Sequence, residues 1–238
     1  MDVYGDPDNR EAARASLASA SLQALERARP GSDHQLAWSR VFIGAAGSAE
    51  HLGVARGLLD GSASFDGLAI DTELRWHIVE SLASAGADDA VVDAELERDP
   101  TDAGNKHAAA ARAARPTSEA KAEAWAVVTG DPDITTATAA AIMRGFARPG
   151  QEELLRPYAG RYFDALAPIW RDRNLELALA FARMMYPGLL VDEDVVEMTD
   201  RYLDAGAASG PIGRLLVEGR DGVQRALRAR ARDRAAAG

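Results

Sequence analysis

The sequence predicts an all-α protein, an irregular right-handed α-superhelix of stacked antiparallel helix pairs of the HEAT or armadillo kind. Three observations carry that expectation. Apolar residues recur at helical spacing along most of the chain, the boundaries between those runs carry capping residues, and no run reads convincingly as a strand. The short β-branched pairs Val91-Val92 and Val195-Val196 sit inside helical periodicity.

Taken in order, Asp6 with Pro7 forms a cap and first-turn pair, and an Ala-rich helix follows to about residue 29, where Pro30-Gly31 breaks it. Ser32 or Asp33 restarts a helix through Leu36, Val41 and Phe42 to Gly44, and Ser48 caps a third helix that Gly61 closes. The stretch 67–101 organises the rest. Asp71 or Thr72 caps a helix with Glu73 in its first turn, Leu74, Ile78, Leu82 and Ala85 form one apolar stripe, and Gly86 ends it. A second helix, 88–98, carries Val91, Val92, Ala94 and Leu96 and stops at Asp99-Pro100. This αα-hairpin cannot bury its apolar face alone and needs neighbours stacked on it.

Thr101 caps a helix over 103–114 that Arg115-Pro116 ends, and Thr117 starts another bearing Trp125, Val127 and Val128. Gly130-Asp131-Pro132-Asp133 is a turn. Further helices are expected over 134–145, 150–157, 159–171, 173–185, 192–205, 209–218 and 220–235. By domain, residues 1–30 form the N-terminal helix that starts the solenoid and 31–238 the solenoid itself. Trp38, Trp76, Trp125 and Trp170 are 38, 49 and 45 residues apart. That is near the roughly 40 to 47 residue period of HEAT and armadillo units; the plainer reading makes each tryptophan the core anchor of its own helix pair.

Composition narrows the chemistry. The 238 residues contain no cysteine, which excludes disulfides, thiolate metal sites and a cysteine nucleophile. No apolar run approaches the roughly 18 residues needed to cross a bilayer, and the N-terminus has neither a basic nor an apolar leader segment. A soluble, cytoplasmic protein with no membrane partner is expected. The formal net charge is −10, with seven Arg against Glu218, Asp221 and Asp233 from residue 214 onward, leaving −14 for residues 1–213. So acidic a body argues against a nucleic-acid partner, which would require clustered Lys and Arg. The basic end is read as a terminal helix whose arginines face water or acidic neighbours.

The search for catalytic motifs is negative. His34, His51, His77 and His107 are separated by 17, 26 and 30 residues, so no two share a helix face, and the H-E-x-x-H pattern is absent. There is no nucleophile elbow, phosphate loop or dinucleotide fingerprint. The carboxylate groups Asp88-Asp89, Glu152-Glu153 and Asp192-Glu193-Asp194 lie at expected helix starts, where the dipole accounts for them. Lys121 and Trp125 are one turn apart, placing the lysine stem on a tryptophan ring. Tyr158, Tyr162 and Phe163 read as an aromatic core cluster.

Six segments carry a family likeness: 31–36 (GSDHQL), 67–76 (GLAIDTELRW), 97–104 (ERDPTDAG), 113–125 (AARPTSEAKAEAW), 145–163 (GFARPGQEELLRPYAGRYF) and 225–233 (RALRARARD). In order and over about residues 30–233, they resemble the C-terminal helical domain of the actinobacterial aminopeptidase N family, zinc-dependent gluzincins whose C-terminal domain also occurs in the endoplasmic-reticulum aminopeptidases. The resemblance implies a parent enzyme releasing N-terminal residues from peptides, with zinc held upstream by an H-E-x-x-H helix and a distant glutamate. It also implies a G-x-M-E-N substrate loop and a catalytic tyrosine upstream. None of these elements occurs here, so no catalytic residue and no metal ligand carries over. The chain is expected to be an excised C-terminal portion with an added Met1.

By that resemblance the implied role is non-catalytic: the solenoid closes and shapes the peptide-binding cavity of the catalytic domains of the same polypeptide, its concave face meeting the peptide. The family's helical domain would offer polar or cationic side chains to that peptide, and His34, Gln35, Arg75 and Lys121, at hairpin ends, are the candidates. The alternative functions are a free-standing helical-repeat scaffold for a protein partner and an independent enzyme with a site assembled from scattered residues, against which the motif census stands.

Overall fold

The computed structural model of the protein describes residues 3–206 and 210–237. Among these there are thirteen α-helices and no strand: α1 Pro7–Arg27, α2 Asp33–Ala45, α3 Ala49–Asp60, α4 Thr72–Ser84, α5 Asp89–Arg98, α6 Asp102–Ala114, α7 Ser118–Gly130, α8 Thr136–Phe146, α9 Glu152–Leu155, α10 Tyr158–Asp172, α11 Leu175–Met184, α12 Glu193–Asp204 and α13 Gly210–Ala237. The chain divides into two compact units, one spanning 8–115 and the other 116–238 together with residues 1–7.

Local chemistry sets most boundaries. Ser32, Ser48, Asp71, Asp88, Thr101 and Thr117 each accept a backbone N–H in the first turn of the helix they precede. Thr135, Asn174 and Asp192 do the same for α8, α11 and α12. Each cap satisfies a donor that the helix itself leaves unpaired. Pro168 lies within α10 without ending it.

In the unit of 8–115, α4 is the shared wall. Leu74, Ile78 and Leu82 face a core made with Ala18 of α1, Phe42 and Ile43 of α2, and Ala55 and Leu58 of α3. Its other side, Trp76, Val79 and Ala83, enters a second core with Val92 of α5 and Ala108 and Ala111 of α6. The single stripe expected for α4 is thus half of what it buries. Ala85 is not in the stripe: it caps the helix C-terminus and is exposed, because the chain has already turned toward Gly86. Ala94 is also exposed, and Glu95 takes the buried position on α5.

In the other unit, aromatic side chains fill the space between helices. Tyr162 stacks on Phe181 at 5.6 Å, meets Phe163 and Tyr186 edge-on, and donates its hydroxyl to Ala182 O at 2.6 Å. Tyr158 and Phe163 are buried beside it, as the aromatic reading expects. Residues 3–6 lie on α13, where the Asp6 N–H donates to Asp233 and Arg230 Nε donates to Val3 O. Arg220 pairs with Asp200 and Asp221, so part of the basic end does meet acidic neighbours.

Two further expectations change. The helices expected over 209–218 and 220–235 are one continuous helix, with position 209 outside the described residues. Gly219 lies inside it as a packing residue: a Cβ there would lie 2.7 Å from the Tyr186 ring. Trp38 and Trp170 are each 40% exposed and are not core anchors, whereas Trp76 is fully buried.

These contacts order a set of stability effects, measurable by urea denaturation of the full chain. Leu82→Ala should cost about 2 to 5 kcal/mol and Ile78→Val about 0.5 to 1.5 kcal/mol. Gly219→Ala should cost about 1 to 3 kcal/mol by overpacking against Tyr186, while Gly222→Ala, with open space around it, should be neutral or stabilising by up to about 1 kcal/mol. Equal effects at the two glycines would contradict the packing described for α13.

Candidate functional site

The four candidate residues fall in three places. His34 and Gln35 lie in the first turn of α2, beside the turn that ends α1. Gln35 is buried and ties that turn down: its Oε1 accepts the Gly31 N–H at 2.8 Å and its Nε2 donates to Asp66 O at 2.8 Å. The loop it reaches approaches closely, since a Cβ on Gly67 would lie 2.5 Å from Gly31 N. Gly67 also sits at φ +75, so glycine is required there on both counts. The result is an open cleft of about 880 Å³ between the end of α1 and the start of α2, lined by Arg27, Arg29, Asp33, His34 and Trp38 among others.

Arg75 lies in α4 and is engaged at three points. Its Nε and one terminal nitrogen donate to the two carboxylate oxygens of Glu95 at 2.7 and 2.6 Å, and the other donates to Leu59 O at 2.9 Å. The Glu95 side chain is only 4% exposed, so this fork supplies the charge compensation that a buried carboxylate needs. Next to it, Trp76 Nε1 donates to Asp99 Oδ2 at 2.8 Å and Thr101 Oγ1 to Asp99 Oδ1 at 2.7 Å. The hydrogen bonds from Thr101 and then Trp76 hold the Asp99 carboxyl below its usual range. His107 stacks on Trp76 at 5.5 Å, with Nδ1 2.9 Å from Glu80 Oε1 and Nε2 3.8 Å from Glu73 Oε2.

Lys121 lies in α7 and is fully buried. Its Nζ is 5.7 Å from the centroid of Phe146, which takes the place expected of Trp125. Phe146, Trp125 and Tyr158 in turn pack on one another at 5.1 to 6.2 Å. Burial, and secondarily the Arg148 guanidinium, push the Lys121 ammonium down to about 7. Burial likewise raises the Tyr158 hydroxyl.

No group of three or more His, Asp or Glu side chains that could hold a metal ion occurs among the described residues. His51 lies 3.3 Å from Ser19 Oγ and His77 3.1 Å from Arg40 O, in separate places from His107 and His34. These residues do not fit a zinc site, which requires three or four ligands converging on one point.

The structure is therefore an α-helical domain of paired helices whose polar side chains mainly hold turns and helix junctions. The chain belongs to the ERAP1-like C-terminal domain family, whose model matches residues 2–225. It is 44% identical over 238 residues to the C-terminal part of "Aminopeptidase N" of Streptomyces lividans, covering all of this chain and 28% of that relative's length.

Three charged residues of these places escaped the sequence reading. Glu95 follows the buried Val92 by three residues, so the spacing placed a carboxylate on the inward face. Arg27 and Arg29 stand in the run RARPG, basic residues beside a turn in an otherwise acidic body.

Two tests follow from the geometry. Arg75→Met should destabilise the chain by about 3 to 5 kcal/mol by stranding a buried carboxylate, and adding Glu95→Leu should recover most of that loss. For Lys121, the depressed folded-state value means that the unfolded chain binds the proton more tightly between about pH 7 and about pH 10.4. Relative to Lys121→Met, the wild-type chain should gain stability as pH rises through that window and show no further change below it. A flat difference between the two proteins across pH 6 to 10 would refute the burial of the lysine.

Proposed function

We propose that the chain acts as the C-terminal domain of a zinc-dependent aminopeptidase, non-catalytic in itself, which closes and shapes the peptide cavity of catalytic domains in the same polypeptide. The observation that carries this reading is the match of the whole chain to the C-terminal part of an aminopeptidase N while it lacks the H-E-x-x-H motif. Zinc would be held by the catalytic domain, and a wall of helices over the cavity would sequester the peptide and exclude water from it. Of the candidates His34, Gln35, Arg75 and Lys121, His34 is exposed and is the one proposed to face the peptide, while Gln35 and Lys121 are buried and Arg75 is held by Glu95. A cytoplasmic location is part of the proposal; no described helix is long and apolar enough to cross a membrane.

The test pairs this chain with an aminopeptidase N truncated before the corresponding region. Adding the chain in trans should restore or alter hydrolysis of peptides, with a smaller effect on a small aminoacyl reporter that is too short to reach the helical wall. The chain alone, with zinc, should turn over neither. Zinc-dependent turnover that survives repurification would overturn the reading, and indifference of the truncated enzyme would favour the scaffold alternative.

A further inference from the structure

We propose that the cleft between the end of α1 and the start of α2 binds an acidic peptide segment, with Arg27, Arg29 and His34 facing its carboxylates and Trp38 supporting an adjacent apolar side chain. The proposal concerns this chain alone and does not depend on its pairing with a catalytic domain.

The first support is the state of the cations. Elsewhere in the same unit Arg75, Arg98, Arg112 and Arg115 each meet a carboxylate: Glu95 for the first two, Asp93 and Asp89 for the others. Arg27, Arg29 and His34 have neither an ion pair nor a hydrogen bond to their side chains among the described residues. The sequence holds 37 acidic residues against 27 Lys and Arg, so internal partners for arginine are plentiful. Two arginines and a histidine left open in one cleft are available to an external counter-charge without breaking an internal pair.

The second support is the chemistry beside them. Trp38 follows His34 by one helical turn, and its indole is 40% exposed. An exposed tryptophan offers a large flat apolar surface of the kind that anchors peptide side chains. Asp33 also lines the cleft. Its carboxylate can accept a peptide N–H, and it opposes a compact dianion such as phosphate more strongly than a singly charged carboxylate. The mixture of cations, one acceptor and an apolar ledge therefore selects a peptide over an inorganic anion, and the acidic body of the chain opposes a nucleic acid.

The third support is rigidity. The turn that forms the cleft is tied to the 65–68 loop by the two hydrogen bonds of Gln35 and by the close approach of Gly67 to Gly31. Ser32 Oγ caps the N–H of Gln35. A cleft already held open loses little entropy on binding. Gln35 is a positioning residue here.

The test is calorimetric titration of the 238-residue chain with the blocked peptide Ac-Glu-Asp-Phe-Glu-NH2, its neutral counterpart Ac-Gln-Asn-Phe-Gln-NH2, and inorganic phosphate. The acidic peptide should bind and the neutral one bind at least about tenfold more weakly; Arg27→Gln and Arg29→Gln should each cost about tenfold, as expected for losing one charge-assisted contact. Trp38→Ala should weaken the peptide but not alter its preference for acidic over neutral sequence. Arg40→Gln, on the same helix but outside the cleft, should leave binding unchanged. All four positions are exposed, and circular dichroism of each variant checks that the fold is kept. Equal affinity for acidic and neutral peptides, or insensitivity to both arginine substitutions, would overturn the proposal. Phosphate binding as tightly as the peptide, with Trp38→Ala silent, would assign the cleft to a simple anion instead.

Discussion

The unit of 8–115 depends on one helix having two apolar faces. A helix that buries a single stripe can sit at the edge of a pair, but α4 must be enclosed on both sides. Leu74, Ile78 and Leu82 recur every fourth residue, while Trp76, Val79 and Ala83 occupy a second row on the opposite side. Two cores are therefore built against the same backbone, and neither can be repacked without moving the helix that serves both. Close packing transmits such a shift rather than absorbing it. The small residues facing Trp76, Ala108 and Ala111, leave room for its indole in the second core.

Enclosing α4 on both sides creates a polar problem, since an indole N–H and an arginine follow the same helix into the interior. Both are answered from α5 and its C-cap. Asp99, at the end of α5, accepts from Trp76, and Glu95, one turn earlier, receives the Arg75 fork. Thr101 then binds the same Asp99 through its hydroxyl while its Oγ also accepts the Gly104 N–H at the start of α6. Gly104 is required by that arrangement, because a Cβ would collide with the Asp99 backbone oxygen. The segment ERDPTDAG thus reads as one device: it ends α5, begins α6 and accepts the Trp76 indole N–H of α4, while Glu95, two residues before it, holds Arg75. The Trp76 indole N–H and the Arg75 guanidinium each have acceptors, which is the condition for carrying such groups inside at all.

How much of this was legible in the sequence follows from how local each cause is. Caps act over three residues, so Ser48, Thr101 and Thr117 could be placed from their neighbours alone, and Ser32 and Asp71 to within one residue. Leu74, Ile78 and Leu82 were legible because periodicity is also a local property. The second face of α4 was not, since a helix apolar on two sides weakens the contrast that a single stripe relies on. The gap expected between 218 and 220 is absent for a related reason: Gly219 is there to make room for Tyr186, 33 residues away, which the local sequence does not show. Lys121 shows the same limit. Its spacing to Trp125 was visible, but the ring beneath its ammonium is Phe146, brought there by the next helix. Of the four candidate positions, the sequence could give residue type and helix position; that Gln35 and Arg75 are held by backbone and carboxylate partners depends on elements 16 to 31 residues distant.

The contrast between held and open side chains finally separates structure from recognition in this chain. Arg75 is geometrically suited to bind a peptide carboxylate, yet it already holds Glu95, and a ligand would have to displace an internal carboxylate of equal chemistry. Exchange of that kind has no charge-pairing advantage and strands Glu95 where it is 4% exposed. Lys121 is remote from water and burial lowers its pKa to about 7, which weakens it as an anchor for an anion. Arg27, Arg29 and His34 differ in both respects, being exposed and free of internal carboxylates among the described residues. A charged ligand arriving there gives up its own hydration, but breaks no interaction of the fold. The same residue types are thus structural at the α4 to α6 junction and available at the α1 to α2 turn. The deciding difference is Glu95 facing inward at one place and a polar, Gln35-pinned turn at the other.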